Sequence, residues 1–211
     1  MENLVKTIDF KRLFDLTLPT NGLIKGQKIQ NYFKKLFENK NFSDLKKPLY
    51  IISTDIFNSQ EIVFNEGNLA KAVRASISVP GIFHPIVNNG RILVDGGVID
   101  NLPIKILRSK GIRSIIAVNL DRKILDEIVY ESANLEIEKK NVPNLMEIIV
   151  NTFRTTYSLR LSLNKKDLKK CLILTPKVSE FHYGDFLKAD LIIQKGYDVA
   201  KSHFKEIKKL I

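Results

Sequence analysis

A chain of 211 residues with 44% hydrophobic composition is long enough to bury one sizeable core, and the whole of residues 1–211 reads as a single domain. Its one cysteine, Cys171, excludes a disulfide within the chain and reads as a small buried side chain in the apolar run CLILT, not as a nucleophile or metal ligand. A net charge of +11, from 34 Lys+Arg against 23 Asp+Glu, would suit phosphate on nucleic acid or on an anionic lipid surface. The charge is carried by 26 Lys and 8 Arg scattered as pairs such as Lys34-Lys35 and Lys139-Lys140, in a chain also rich in Asn and Ile. That mix is what an AT-rich genome produces without selection for binding, and aromatic-rich basic stretches are missing, so no specific nucleic-acid partner is expected. The longest apolar runs fall far short of the roughly 20 residues of a membrane-spanning helix, and the first residues lack the features of a signal peptide. A cytoplasmic protein is expected, with peripheral contact to a membrane left open.

In chain order, PTNGLIKG (19–26) is turn chemistry, and QKIQNYFKKLFENK (27–40) places Ile29, Tyr32, Phe33, Leu36 and Phe37 at helical spacing with lysines opposite. PLYIIST (48–54) and QEIVFN (60–65) read as strands about the turn FNS. NLAKAVRASISV (68–79) repeats apolar or small residues at Leu69, Ala72, Val73, Ser76 and Ile77 and stops at Pro80-Gly81, which predicts a closely packed helix. GRILV (90–94) is a strand. NLPIKILRSKG (101–111) predicts a helix with Asn101 as N-cap and Gly111 as the stop, and RSIIAVNL (113–120) is the clearest strand. Strand, helix and strand at this spacing suggest a β-α-β unit, hence an α/β fold with a mainly parallel sheet flanked by helices.

The polar segment 121–142 reads as a loop or lid-like excursion, followed by a long helix over 143–163 and a strand at CLILT (171–175). After FHYGDF (181–186), residues 188–211 predict one amphipathic helix with Ile192, Val199, His203, Ile207 and Ile211 aligned. No internal repeat and no low-complexity linker interrupts the chain.

The stretch LVDGGVIDNLP (93–103) puts Asp95 at the end of a strand with Gly96 and Gly97 behind it. Carboxyl ends of strands are where open α/β sheets place ligands, and glycine lets a backbone or substrate approach closely. Taken as a tripeptide, Asp-Gly-Gly is more simply a tight turn. His84 beside Pro85 reads as structural, His182 and His203 are weaker candidates still, and no His, Asp or Glu spacing suggests a metal; no cofactor is expected.

The wider context adds to this. AVRASISVPGIFHPIV followed by ILVDGGVIDNLPI resembles the patatin-like phospholipase family, in which a small-residue helix ends in Ser-x-Pro-x-x-Phe-x-Pro shortly before Asp-Gly-Gly or Asp-Gly-Ala. NGLIKGQKIQNYF, ISTDIFNSQEIVFNEGNLAKAVRAS and DFLKADLIIQKGYDVAK are similar to the bacterial, neuropathy-target-esterase-like branch, so the resemblance runs over essentially the whole chain. It implies a three-layer fold and hydrolysis of lipid acyl esters by a serine–aspartate dyad. Asp95 would be the general base, and Gly96 and Gly97 would leave room for the serine and the acyl group.

The resemblance also implies a Gly-x-Ser-x-Gly nucleophile elbow and an upstream glycine-rich oxyanion loop, and this sequence contains neither. Ser76 and Ser78 lie in a helix and turn, not at an elbow. The chain is therefore expected to be inactive alone: the C-terminal part of such a domain, incomplete at its N-terminus, from a truncated, frameshifted or split gene or a start codon called too late. The alternative is a non-catalytic pseudoenzyme or remnant that binds lipid or a partner chain. Exposed strand edges in an incomplete sheet should favour pairing with a separate N-terminal fragment or self-association. Sedimentation of the isolated chain should show oligomers; a clean monomer with a sharp two-state melt would count against this.

Overall fold

The computed structural model describes residues 10–18, 20–120, 148–149, 152–153, 168, 171–178, 180–181, 185 and 188–210. The expected excursion at 121–142, most of the helix at 143–163 and most of FHYGDF lie outside them. Contacts divide the chain into two compact units, Asp9–Asn101 with Lys140–Tyr157, and Met1–Ile8 with Leu102–Lys139 and Ser158–Ile211, each described here by itself.

The first unit holds α1 (Phe10–Leu13), α2 (Gln27–Leu36), a 3-10 turn (Phe42–Asp44), β1 (Ile51–Asp55), β2 (Gln60–Phe64), α3 (Leu69–Ser76), β3 (Ile86–Asn88), β4 (Arg91–Asp95) and a second 3-10 turn (Gly96–Val98). Its four strands form one sheet in the order β2-β1-β4-β3, with every neighbouring pair antiparallel. This corrects the mainly parallel sheet expected from the strand-helix-strand spacing. The reason lies in the turns. Asn88 pairs with Arg91 across Asn89-Gly90, whose φ values of 49° and 73° are those of a two-residue hairpin turn that reverses the chain at once. At the other hairpin, the Asp55 carboxylate accepts the N–H groups of Phe57 (3.2 Å) and Asn58 (3.3 Å) and the Asn58 amide (2.8 Å), closing the loop between β1 and β2. The Asn58 side chain, with these backbone groups and Arg91, holds Asp55 below the usual carboxylate range.

Helix α3 packs on β1 and β4. Its buried positions are Leu69, Ala70, Ala72, Arg74 and Ala75, whereas Val73 and Ser76 are only half-buried, so the inward face is rotated from the one the apolar spacing suggested. Three alanines on its inward face are small enough to let the helix lie close to β1 and β4, whose Ile52, Leu93 and Val94 are buried. Phe42, Leu69 and Ala72 make a second cluster with Phe37, Leu45, Ile51 and Phe64. Asn68 caps α3 by accepting the Lys71 N–H at 3.3 Å.

Helix α2 follows the predicted 3.6-residue pattern but is capped from a distance. Its N-cap, Gly26, is left-handed (φ 78°) and has no side chain to offer. The Asp15 carboxylate takes its place, accepting the N–H groups of Gly26 (2.7 Å), Gln27 (2.9 Å) and Lys28 (3.3 Å).

In the second unit, α4 (Ile104–Ser109) begins after Pro103, not at an Asn101 cap, and stops at Gly111 (φ 79°) as expected. β5 (Ile116–Val118) pairs in parallel with β6 (Leu172–Leu174), and so does not extend a β-α-β unit from β4. Cys171 is half-buried and receives a contact from Arg108 Nη2 at 3.3 Å. The single terminal helix expected over 188–211 is two: α5 (Ala189–Ser202) and α6 (Phe204–Lys208), broken at His203. The His203 Nδ1 lies 3.0 Å from both Ser202 Oγ and the Val199 carbonyl, which ties the ring to the break. No helix of the described residues is long and apolar enough to cross a membrane.

The remote cap makes stability depend on pH with a defined sign. Burial alone would raise the Asp15 carboxyl, but the backbone N–H groups outweigh it and hold the carboxyl below its ordinary value. A depressed folded value gives stability that is present above the unfolded carboxylate range and is lost as pH falls through the folded value. Asp15→Ala should therefore cost about 1 kcal/mol at neutral pH and progressively less in acid. Urea titrations of both proteins at neutral and acidic pH measure the difference.

Candidate functional site

β4 ends in Asp95, and the chain turns at once into the 3-10 turn Gly96–Val98. The strand is held between β1 and β3, and Asp95 stands opposite Ser53 of β1. Thr54 Oγ1 donates to the Asp95 carbonyl at 2.9 Å, and Ser53 Oγ donates to the Val94 carbonyl at 2.5 Å. On the other side the Asp95 N–H donates to the Ser78 carbonyl at 3.0 Å, in the turn that leaves α3. The Asp95 backbone is thus fixed by a strand on one flank and a helix end on the other. Its carboxylate accepts the Gly97 N–H at 2.6 Å and, among the described residues, takes no second hydrogen bond.

The side chain is half-buried. Burial pushes its carboxyl above the ordinary aspartate value, and the Gly97 N–H only partly opposes the shift. A carboxylate displaced upward, oriented by one donor and with an oxygen left over, has the properties of a general base.

The two glycines behind it do different things. A Cβ on Gly96 would overlap the Ile52 carbonyl of β1, with the carbonyl carbon at 2.8 Å, so Gly96 is needed for the 3-10 turn to lie against the sheet. A Cβ on Gly97 would instead meet the Asp95 Oδ1 at 3.0 Å and the Asn101 Oδ1 at 3.1 Å, so Gly97 keeps clear the space beside the carboxylate.

The serines nearest this region are committed elsewhere. Ser78 is fully buried, and its Oγ donates to the Arg74 carbonyl at 2.8 Å while accepting Arg74 Nη1 at 2.6 Å. Ser53 is also fully buried, with its hydroxyl spent on Val94. Neither presents an oxygen to a substrate. His84 contributes its backbone, donating to the Ile24 carbonyl and accepting Arg74 Nη2; its Nε2 is buried without a hydrogen-bond partner among the described residues. His182 lies outside the described residues, and His203 is in the second unit. Among the described residues, no three His, Cys, Asp or Glu side chains are grouped to hold a metal ion.

Arg74 is the residue that sequence reasoning passed over. It is charged and only 1% exposed. The signal was present in the spacing, because Ala70, Arg74 and Ser78 fall on one helical face that the structure buries.

The raised carboxyl of Asp95 has a cost in stability. Folded Asp95 binds its proton more tightly than the unfolded chain does, so stability falls as pH rises through the unfolded carboxylate range toward the raised folded value. The destabilisation from the raised carboxyl is therefore larger at neutral pH than in acid. Asp95→Asn keeps an oxygen for the Gly97 N–H and removes the charge. It should melt at a higher temperature than wild type at neutral pH and lose that advantage at about pH 3. Paired thermal melts test this, and an advantage equal at both pH values would contradict it.

Comparison with known proteins agrees with the earlier resemblance. The family profile described as "Patatin-like phospholipase" matches residues 2–108. "Patatin-like phospholipase domain-containing protein 6" of Homo sapiens is 29% identical over 208 residues, covering 91% of this chain and 15% of that protein. "Patatin-like phospholipase domain-containing protein 7" of Mus musculus is 29% identical over 210 residues, covering 92% of this chain and 15% of its own length. An uncharacterised NTE family protein of Mycobacterium tuberculosis is 27% identical over 200 residues, covering 90% of this chain and 34% of its own length. The chain thus spans roughly a sixth to a third of the length of these relatives. With the profile matching half of its residues, the chain belongs to the patatin-like phospholipase family.

Proposed function

We propose that this chain contributes the general base of a serine–aspartate dyad that hydrolyses lipid acyl esters. Asp95 is the base, and the nucleophilic serine is carried on a segment outside these 211 residues, which form one domain together with it. Membership of a family of lipid hydrolases supports the reaction class. The observation that carries the assignment is the half-buried carboxylate at the end of β4, raised by burial and oriented by the Gly97 N–H.

The chemistry follows from that geometry. As the serine oxygen attacks the ester carbonyl carbon, its proton passes to the free oxygen of the Asp95 carboxylate. The tetrahedral intermediate collapses, the bond to the alcohol breaks, and the departing alcohol takes the proton from Asp95. A water molecule then attacks the acyl-serine, giving its proton to Asp95, and the serine leaves with that proton as the fatty acid is released. A carboxyl raised above the ordinary aspartate value is a stronger base than a solvent-exposed one, which suits it to take the serine proton. No metal or cofactor enters the scheme. The lysine-rich surface would favour peripheral attachment to anionic lipid on the cytoplasmic side, where each basic residue adds on the order of 1 kcal/mol.

A second reading has its own observation. With Ser53 and Ser78 sealed and no Gly-x-Ser-x-Gly in the sequence, the chain could keep the fold to bind lipid or a partner chain without turnover. Combining the chain with a polypeptide that carries the Gly-x-Ser-x-Gly segment and assaying a p-nitrophenyl acyl ester separates the two. Hydrolysis should appear and should fall roughly 10²- to 10⁴-fold in Asp95→Ala. Activity that survives Asp95→Ala would remove Asp95 from the mechanism, and binding without any hydrolysis would favour the second reading.

A further inference from the structure

The Arg74 guanidinium is fully enclosed, yet each of its nitrogens has a partner. Nε donates to the Gly26 carbonyl at 3.1 Å, Nη1 to Ser78 Oγ at 2.6 Å, and Nη2 to the carbonyls of Lys25 (2.7 Å) and His84 (3.0 Å). Its carbon lies 5.2 Å from the centre of the Phe83 ring. A Cβ on Gly26 would overlap the guanidinium, so the left-handed glycine makes the space the group occupies. Asp15, on the far side of the same Gly26 peptide, supplies the opposing charge that favours ionised Arg74 against the desolvation that disfavours it.

These bonds join three separate pieces of chain: residues 25–26 before α2, Ser78 at the end of α3, and residues 83–84 before β3. Ser78 is where they meet the site. Its hydroxyl is clamped between Arg74 Nη1 and the Arg74 carbonyl, and its own carbonyl accepts the Asp95 N–H. Only a planar group with several donors in a fixed fork can hold such divergent acceptors; an ammonium cannot.

We infer that Arg74 is a positioning residue for Asp95, acting through Ser78 to fix the end of β4 and hold the carboxylate in its half-buried place. The inference rests on the reading of Asp95 as the base. Arg74 touches neither substrate nor the reacting atoms. Its effect is on where the carboxylate sits and therefore on how tightly that carboxylate binds a proton.

The test is hydrogen exchange of the Asp95 amide and NMR titration of the Asp95 carboxyl in the full chain, for wild type, Arg74→Met and Arg74→Lys. With Arg74→Met, Asp95 N–H exchange should accelerate about tenfold beyond any change at Val94 on the same strand. The titration midpoint should move down toward that of an ordinary aspartate as the side chain gains water. Arg74→Lys should not restore either value. Should Arg74→Met fail to fold, Ser78→Ala removes only the bridging hydroxyl, and the same two readouts should shift in the same direction, with exchange about threefold faster.

An Asp95 midpoint that stays put while overall stability drops would overturn the inference and leave Arg74 merely structural. Its failure is distinguishable from failure of the dyad. Asp95→Asn is assayed separately for ester hydrolysis in combination with the polypeptide that carries the Gly-x-Ser-x-Gly segment, and loss of hydrolysis there with an unmoved midpoint in the Arg74 and Ser78 variants would sink the positioning role alone. Hydrolysis retained in Asp95→Asn would remove the base assignment, and with it the functional meaning of the link.

Discussion

A guanidinium taken out of water must find an acceptor for its donors or lose its charge's solvation without return, and Arg74 meets that demand by drawing loops inward. The segments it gathers are joined to one another directly by backbone hydrogen bonds between residues 23–24 and 81–84. The stretch around Ile24 forms no regular strand; its backbone pairs with residues 81–84 on one side, as in Ile24 N–H to the Ile82 carbonyl (2.9 Å) and His84 N–H to the Ile24 carbonyl (2.9 Å), and with Asp15 and Thr17 on the other. Without a central donor, their carbonyls would face the buried side of the fold unpaired. The same bonds set the turn after α3, and that turn sets where β4 ends. The position of one carboxylate is therefore fixed by a buried cation that is not its direct partner, at some distance along a hydrogen-bonded path.

The arrangement also separates two carboxylates by environment. Asp15 is half-buried at a helix N-terminus, where three N–H groups favour the charged form. Asp95 is half-buried with one such donor, and burial prevails. Deeper burial and fewer backbone donors together give Asp95 the opposite sign. One aspartate is held in its charged form at a helix end, while the carboxyl of the other is pushed above the ordinary aspartate value. A stability cost at Asp95 is what the role proposed for it would impose, its requirement differing from that of the fold.

Much of this architecture was legible in the residues. The period of Ile29, Tyr32, Phe33 and Leu36 gave α2, and the β-branched runs flanking FNS gave the β1–β2 hairpin. Strand direction was not legible from periodicity, because alternation is the same in parallel and antiparallel ladders. The spacing of β4, α4 and β5 suggested a parallel pair, while the informative dipeptide was Asn89-Gly90, whose left-handed turn makes β3 and β4 antiparallel. Asp95 was readable as a candidate because an acidic residue followed by two glycines ends an apolar strand. Its raised carboxyl was not readable, since burial comes from β1 and the turn after α3, which lie far from it in sequence. Arg74 escaped because a charge at helical spacing is normally a solvated one. The break at His203 escaped because the apolar pattern continues through it.

The glycines after Asp95 have unequal freedom to vary. At position 96 an added methyl runs into main chain, the Ile52 carbonyl, which cannot turn aside without unzipping β1 from its neighbours. At position 97 it meets only the ends of two side chains, which can yield by a few tenths of an ångström. Sequence drift in this motif should accordingly stop at the first glycine and pass through the second. The sheet would thus act as the censor of the middle letter in this Asp-Gly-Gly motif.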